Sequence, residues 1–407
     1  MLLSALITVP VVLFCAVSCT EPRTIATLGK EDLFTLDYGN FENQLDLFDL
    51  SAAGSVNTSI TMNGGFFYIA NSESKRILQL NSYGELLALY YNPDTNPEPS
   101  FKTETADGAA AAVTQKAIEY PFNQIGNIAV DENRCLYIVD SLPPVRQERD
   151  SEQGIMLSQV VLRFDSDGTF INYLGQQGPG GTPFPYITDI FTTAKNELVV
   201  LCAAGETAEV FWFSDTGYLL YTIPFDRSLL PDPFSAESEE EIFVSLDTVI
   251  PDAIDHRVYL KIDYYTSVID DATKVQSGIE YYQTLLYPFD IDTASYGEPI
   301  PVPPLDVYME NSFSDTRYEQ PYEFLGTTRS GWFFFIAADA DGYMLQLIQA
   351  DGKKILRRHL SVDQENSLYY AFDVSGEGII SALIAGHETA GIVWWRADQL
   401  IASLVQQ

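Results

Sequence analysis

Apolar and polar residues alternate with a period of two through most of this chain, and the alternation is broken by short clusters of Gly, Asn, Asp and Ser. That pattern predicts strands separated by tight turns. One phrase recurs: a strand ends in an apolar residue, three turn-prone residues follow, and then Gly. Leu80 leads to Asn81-Ser82-Tyr83-Gly84, Phe164 to Asp165-Ser166-Asp167-Gly168, Phe213 to Ser214-Asp215-Thr216-Gly217, and Ile348 to Gln349-Ala350-Asp351-Gly352. Self-similarity at this scale marks a repeat architecture. Cutting the chain at these phrases yields six units of about four strands, over residues 56–92, 122–175, 184–225, 240–302, 321–361 and 366–405. Unit four is degenerate and exits through a Pro-rich stretch.

Six four-stranded units in a row predict an all-β fold, a closed β-propeller, because radial repetition leaves few exposed sheet edges. Five or seven blades are the alternatives, since unit four is weak and residues 30–55 have room for a strand pair. Closure requires one blade shared between the chain ends, and either Glu31–Tyr38 or Gln44–Leu50 is expected to complete the last blade as an N-terminal strand. The most helix-like stretch of the body, Ala106–Ile118, falls in a connection, and Leu400–Val405 reads as a short tail.

Unit two carries a family resemblance. Ile128-Ala129-Val130-Asp131, Leu136-Tyr137-Ile138-Val139-Asp140-Ser141 and Val161-Leu162-Arg163-Phe164-Asp165-Ser166-Asp167-Gly168-Thr169-Phe170 together resemble an NHL repeat. Unit one, with Tyr68-Ile69-Ala70-Asn71-Ser72 and Lys75-Arg76-Ile77-Leu78-Gln79-Leu80, is similar to it. Units three and five match in their last two strands, and units four and six hardly match. The resemblance implies a six-bladed propeller. The family hosts binding scaffolds and a few lyases or hydrolases, so it does not fix an activity.

The first 18 residues, MLLSALITVPVVLFCAVS, form an apolar run of signal-peptide length. Small residues before Cys19 resemble the lipobox of bacterial lipoproteins, which implies cleavage before Cys19 and lipidation of that residue. The n-region lacks Lys and Arg, and Ala16 stands where Leu is usual. An ordinary signal peptide or an uncleaved anchor is the alternative. The expected organisation is therefore a signal peptide over 1–18, lipidated Cys19 and a tether over 19–30, and the propeller over 31–407. The implied location is the bacterial cell envelope, on the periplasmic or outer-surface side.

A net charge of −35 excludes a nucleic-acid partner, because phosphate neutralisation needs clustered Lys and Arg. It also argues against docking on anionic lipid through a basic surface, leaving the lipid anchor as the expected membrane contact. Apolar residues at 46 % permit a large core. Cys135 and Cys202 fall in strands of neighbouring units, offset by about five residues, or roughly 16 Å. That is beyond disulfide reach, so both are expected as free, buried thiols.

Candidate chemistry is thin. Asp165–Gly168 and Asp339–Gly342 hint at calcium loops. Aligned on the Gly, however, they put Arg163 and Ala337 at the first ligand position and Leu174 and Ile348 at the twelfth, so both read as turns. His256, His359 and His387 lie in different units without metal-ligand spacing. Nucleophile-elbow, metalloprotease and phosphate-loop motifs are absent. Adjacent aromatics such as Tyr90-Tyr91, Tyr264-Tyr265 and Trp394-Trp395 should send one ring to each side of a strand, half into blade-to-blade packing; for the other half, burial between sheets is the default and a peptide- or glycan-binding surface the alternative.

Insertions at 92–121, 142–157, 231–241 and 303–320 are the better pointers to function. The first expectation is accordingly a non-enzymatic scaffold that presents its channel face and inserted loops to an envelope protein or a peptidoglycan-associated partner. The second is a lyase or hydrolase with a carboxylate-bound metal, calcium being the candidate, held among Asp131, Asp140, Asp189, Asp263, Asp339 and Asp373 at strand ends. A small-ligand or glycan binder is the third. No catalytic residue and no other cofactor is assigned.

Overall fold

The computed structural model describes residues 25–47, 57–103, 115–151, 154–234, 241–270, 273, 275–311 and 314–405. Cys15, Cys19 and the expected signal peptide over 1–18 lie outside these residues. Six antiparallel sheets follow one another along the chain and form a six-bladed β-propeller of four-stranded blades. Their inner strands are Thr58–Asn63, Ile125–Val130, Tyr186–Thr192, Ile242–Pro251, Glu323–Thr327 and Tyr369–Val374, for blades 1 to 6 in order.

The ring closes through the N-terminal strand. Lys30–Asp37 pairs with Thr389–Trp395 as the outermost strand of blade 6, from Lys30 opposite Trp395 to Asp37 opposite Thr389. The Gln44–Leu50 stretch supplies only Leu45, bridged to Tyr38, among its described residues. Arg76, fully buried in blade 1, secures this junction. Its guanidinium donates to the carbonyls of Gly39 and Gln44 at 2.8 Å and of Asn40 at 2.9 Å. Burial lowers the Arg76 pKa to about 10, against the opposing pull of Asp46 and Glu42.

Stability comes from neighbour-on-neighbour stacking. Six hydrophobic clusters occupy the six blade interfaces. Strand alternation serves both sides of a blade at once. Tyr90 packs toward blade 2 and Tyr91 toward blade 6. In blade 5, Trp332 and Phe334 face blade 6, while Phe333 and Phe335 face blade 4. The adjacent aromatics thus go mainly into blade interfaces. Cys135 and Cys202 are buried and unpaired in the interface between blades 2 and 3.

The recurring Gly phrase is the turn between the third and fourth strands. Gly84 and Gly168 adopt φ of +80° and +84°. Each also lies tight against the outer strand of the preceding blade: a Cβ on Gly84 would fall 2.8 Å from Phe34, and one on Gly168 2.8 Å from Ile118. Glycine is required there by both conformation and stacking.

Three elements depart from the sequence reading. Blade 4 is the most extended, with strands Arg257–Ile269 and Gln276–Asp290, and its outer position is split between Ser295–Tyr296 and Ile300–Val302. Lys116–Glu119, at the end of the helix-like connection, is a strand parallel to Leu86–Tyr91. The expected tail is the helix Ala397–Val405, whose Ala397 and Ile401 pack between blades 5 and 6. Among the described residues, no helix is long and apolar enough to cross a membrane.

Inner strands all run in one direction through the ring, so connections fall on two distinct faces. Turns from first to second and from third to fourth strands share the short-turn face. Second-to-third loops and blade-to-blade crossings share the other. The described residues of the insertions at 142–157, 231–241 and 303–320 fall on this second face, as do the tip of the long blade 4 hairpin and an added hairpin, Leu305–Asn311 with Ser314–Gln320. The insertion at 92–121 leaves from and returns to that face, but its strand Lys116–Glu119 starts at the short-turn end, where Lys116 pairs with Asp167 of blade 2.

Candidate functional site

The inner strands enclose a central cavity of about 380 Å³. Blades 1, 2, 3, 5 and 6 line it with their inner strands, whereas blade 4 contributes only Pro251–Ala253 at its end. Blade 4 stands back, and a second cavity of about 250 Å³ separates it from blade 3. Bulges shape this region: Thr188 in blade 3 and Asp247 in blade 4 are extra residues in their ladders, and both line the second cavity. Such bulges re-aim neighbouring side chains. Asp189, next to Thr188, lines both cavities.

Of the six candidate carboxylates, the structure brings Asp189 and Asp373 to the channel wall. They project from blades 3 and 6, on opposite sides of the ring. Protein surrounds both while part of each remains open to the channel. Asp373 accepts from the Met62 N–H in blade 1 at 2.9 Å. Burial pushes its carboxyl up to about 7; the Met62 and Thr61 bonds oppose the shift, and the charge of Asp189 adds to it. Asp189 accepts from Asn127 Nδ2 in blade 2 at 3.0 Å and from the Ile190 N–H at 2.8 Å. Burial pushes it up to about 6. Each carboxylate therefore ties its own blade to a neighbour.

The other four sit elsewhere. Asp131 caps the first turn of blade 2, accepting from the Cys135 N–H at 2.8 Å and the Tyr137 hydroxyl at 3.2 Å. Asp140 is in a second strand, where it holds the Asn123 and Gln124 N–H groups. Asp263 is buried in blade 4, 3.1 Å from Lys261 Nζ, which also reaches Asp247 at 2.9 Å. Asp339 caps Ala340 at the far end of a blade 5 strand. Among the described residues, no group of three or more His, Cys, Asp or Glu side chains is placed to hold a metal ion.

His256 bridges blades 3 and 4, with Nε2 3.2 Å from Glu197 and Nδ1 3.3 Å from the Tyr221 hydroxyl. His359 lies in the outer strand of blade 5, and His387 in a blade 6 turn. Asp165 accepts from the Asp167 and Thr169 N–H groups as a turn residue.

The channel's short-turn mouth holds the feature that the sequence did not flag. Arg329 of blade 5 pairs with Glu132 of blade 2 and, at 3.3 Å, with Glu377 of blade 6. Its backbone N–H also donates to the Gly376 carbonyl at 2.9 Å. A regular cap gives these positions away. Asp131, Thr193, Asp252, Thr328 and Ser375 each accept a turn N–H through a side-chain oxygen, and the following residues are Glu132, Ala194, Ala253, Arg329 and Gly376. All five line the mouth.

The insertion face is different. It exposes Tyr186, Tyr282, Tyr308, Tyr318, Ile279 and Val145, with Tyr308 69 % and Val145 93 % accessible.

No protein-family model matches the sequence, and no curated protein matches it. Among solved structures, the chain is similar to an ulvan lyase of a polysaccharide lyase family, at 10 % identity and TM-score 0.40, over 88 % of this chain and 96 % of that one. It is also similar to a gluconolactonase from Xanthomonas campestris, at 11 % identity and TM-score 0.38, over 81 % and 82 %. A third is the β-propeller domain of the Trilobed protease from Pyrococcus furiosus, at 9 % identity and TM-score 0.38, over 84 % and 96 %. The blade count here rests on strand order and pairing within the chain itself.

Proposed function

We propose that this chain is a non-enzymatic binding scaffold of the bacterial envelope, a lipoprotein held to the membrane through Cys19. One observation carries the scaffold reading: three of the four long insertions lie on one face, together with exposed Tyr, Ile and Val side chains. Rigid stacked blades position that face, and aromatic side chains outside a core favour partner binding. The partner is an envelope protein or a peptidoglycan-associated protein. The NHL-like phrasing of blades 1 and 2 accords with a scaffold role.

The test is capture from detergent-solubilised envelopes with the full-length chain, compared with a Y186A/Y308A variant. A specific partner recovered by the first and lost from the second supports the reading. Equal recovery by both, or no partner, removes it.

A second reading, a ligand site or enzyme centre in the channel, is favoured by Asp189 and Asp373 facing one another across a cavity of about 380 Å³, within the usual size range of small-molecule sites. Calcium is the cation its carboxylates would suit. Metal analysis of the purified protein, alongside D189N and D373N, separates this reading from the first.

A further inference from the structure

The overall charge of −35 conceals a local reversal. The last turn and outer strand of blade 5 read Lys353-Lys354-Ile355-Leu356-Arg357-Arg358-His359, placing four cations within six residues of an acidic chain. Lys353 and Lys354 are exposed, and Arg357 and Arg358 are partly exposed. Arg357 donates to Gln346 Oε1 and the Pro304 carbonyl, and Arg358 to the Arg357 carbonyl. These acceptors are neutral and leave both charges in place. Carboxylates also lie nearby: Asp351, 3.3 Å from Lys353, Asp32, 3.0 Å from Lys30, Asp363, which feels the charge of Lys30, and Glu31, which follows Lys30 and accepts from the Trp394 indole. Lys354, Arg357 and Arg358 have no carboxylate partner among the described ion pairs.

The N-terminal segment leaves the body beside this strand. Thr27 bridges to His359, the Leu28 N–H donates to the His359 carbonyl at 2.9 Å, and the His359 N–H to the Ala26 carbonyl at 3.2 Å. Lys30 then opens the closing strand, where the other blades have their third-to-fourth-strand turn. Cys19 precedes Ala26 by seven residues, a maximum reach of about 25 Å. A lipid on Cys19 would therefore hold the edge formed by blades 5 and 6 near the bilayer.

We propose that the outer edge of blade 5, from Lys353 to Arg358 with Lys30 beside it, docks on an anionic phospholipid surface. The inference rests on the Cys19 anchor and adds a second contact to it. A lipid attachment reinforced by a basic patch is a more stable membrane association than either alone. This geometry also leaves the insertion face clear for a partner.

The test uses the full-length chain reconstituted into phosphatidylcholine vesicles with or without phosphatidylglycerol. A membrane-impermeant amine reagent labels exposed lysines, which are read by peptide mass spectrometry. Labelling of Lys353 and Lys354 is expected to fall about fivefold or more when phosphatidylglycerol is present, and to recover in high salt. Lys116 and Lys195, on blades 1 and 3, should not change. Arg358→Glu with Lys30→Glu leaves both reporter lysines in place and should abolish the difference; if that variant does not fold, the comparison of lipid compositions still decides. Equal labelling in both vesicles overturns the proposal. An alkaline wash tests the anchor separately: a chain that washes off refutes the Cys19 reading, while one that stays without lysine protection refutes only the docking edge.

Discussion

Arg329 and Glu132 stand on opposite blades of the ring and form an ion pair across the short-turn mouth of the channel. The pair joins blade 5 to blade 2 without passing through any blade interface. Both side chains are about one-third exposed, so the contact is a latch of modest strength. A double-mutant cycle of R329Q and E132Q should give a coupling of about 0.5–1 kcal/mol in low salt, smaller in high salt. Zero coupling in low salt would show that the pair does not form in solution.

The carboxyls of Asp189 and Asp373 are held above their unfolded value of 3.8, at about 6 and about 7. The folded chain therefore binds more protons than the unfolded chain between about pH 4 and 7, and stability falls as pH rises through that window. D373N keeps an acceptor for the Met62 N–H and removes the charge. It should stabilise the protein by about 1–2 kcal/mol at pH 8 and flatten the profile. Urea unfolding at pH 5 and pH 8 reads both effects, and a loss of stability at pH 8 would contradict the assignment.

Arg76 holds three backbone carbonyls of the segment that follows the closing strand. R76M retains much of the volume and removes every donor. The expected cost is about 1–3 kcal/mol, because three part-buried carbonyls lose their donor. Chemical denaturation checks the loss, and proteolysis should show early cleavage near residues 39–44.

Gly84→Ala and Gly64→Ala both place a side chain at positive φ, but nothing lies within 4 Å of a Cβ on Gly64. The first should cost more than the second by about 1 kcal/mol or more, the excess being the clash with Phe34. Equal melting temperatures would mean that blade 6 gives way freely.

Much of the ring was legible because its two strongest signals are local. Alternation shows in outer strands such as Leu219–Asp226, doubly buried middle strands such as Trp332–Asp339 read as continuous apolar runs, and the Gly phrase repeats because φ and stacking both demand it at the same step. Radial position was not legible. Ile-Ala-Val-Asp131 ends an inner strand and Tyr-Ile-Val-Asp140 a second strand, yet both read as apolar runs closed by Asp. Six carboxylates therefore looked equivalent, while only two line the channel. Arg329 carried no motif, since its role depends on a blade three units away. The basic strand of blade 5 was hidden by the total charge, which says nothing about where cations gather.

Because Lys30–Asp37 finds its partner more than 350 residues later in Thr389–Trp395, the circle cannot be completed until nearly the whole polypeptide is available. Blade 6 is the last to be finished, and it is finished by the first strand made. Mechanical load applied at the N-terminus first strips Ala26–Leu28 from His359 of blade 5 and then reaches that clasp, so tugging on the front of the chain would unzip the ring at its seam.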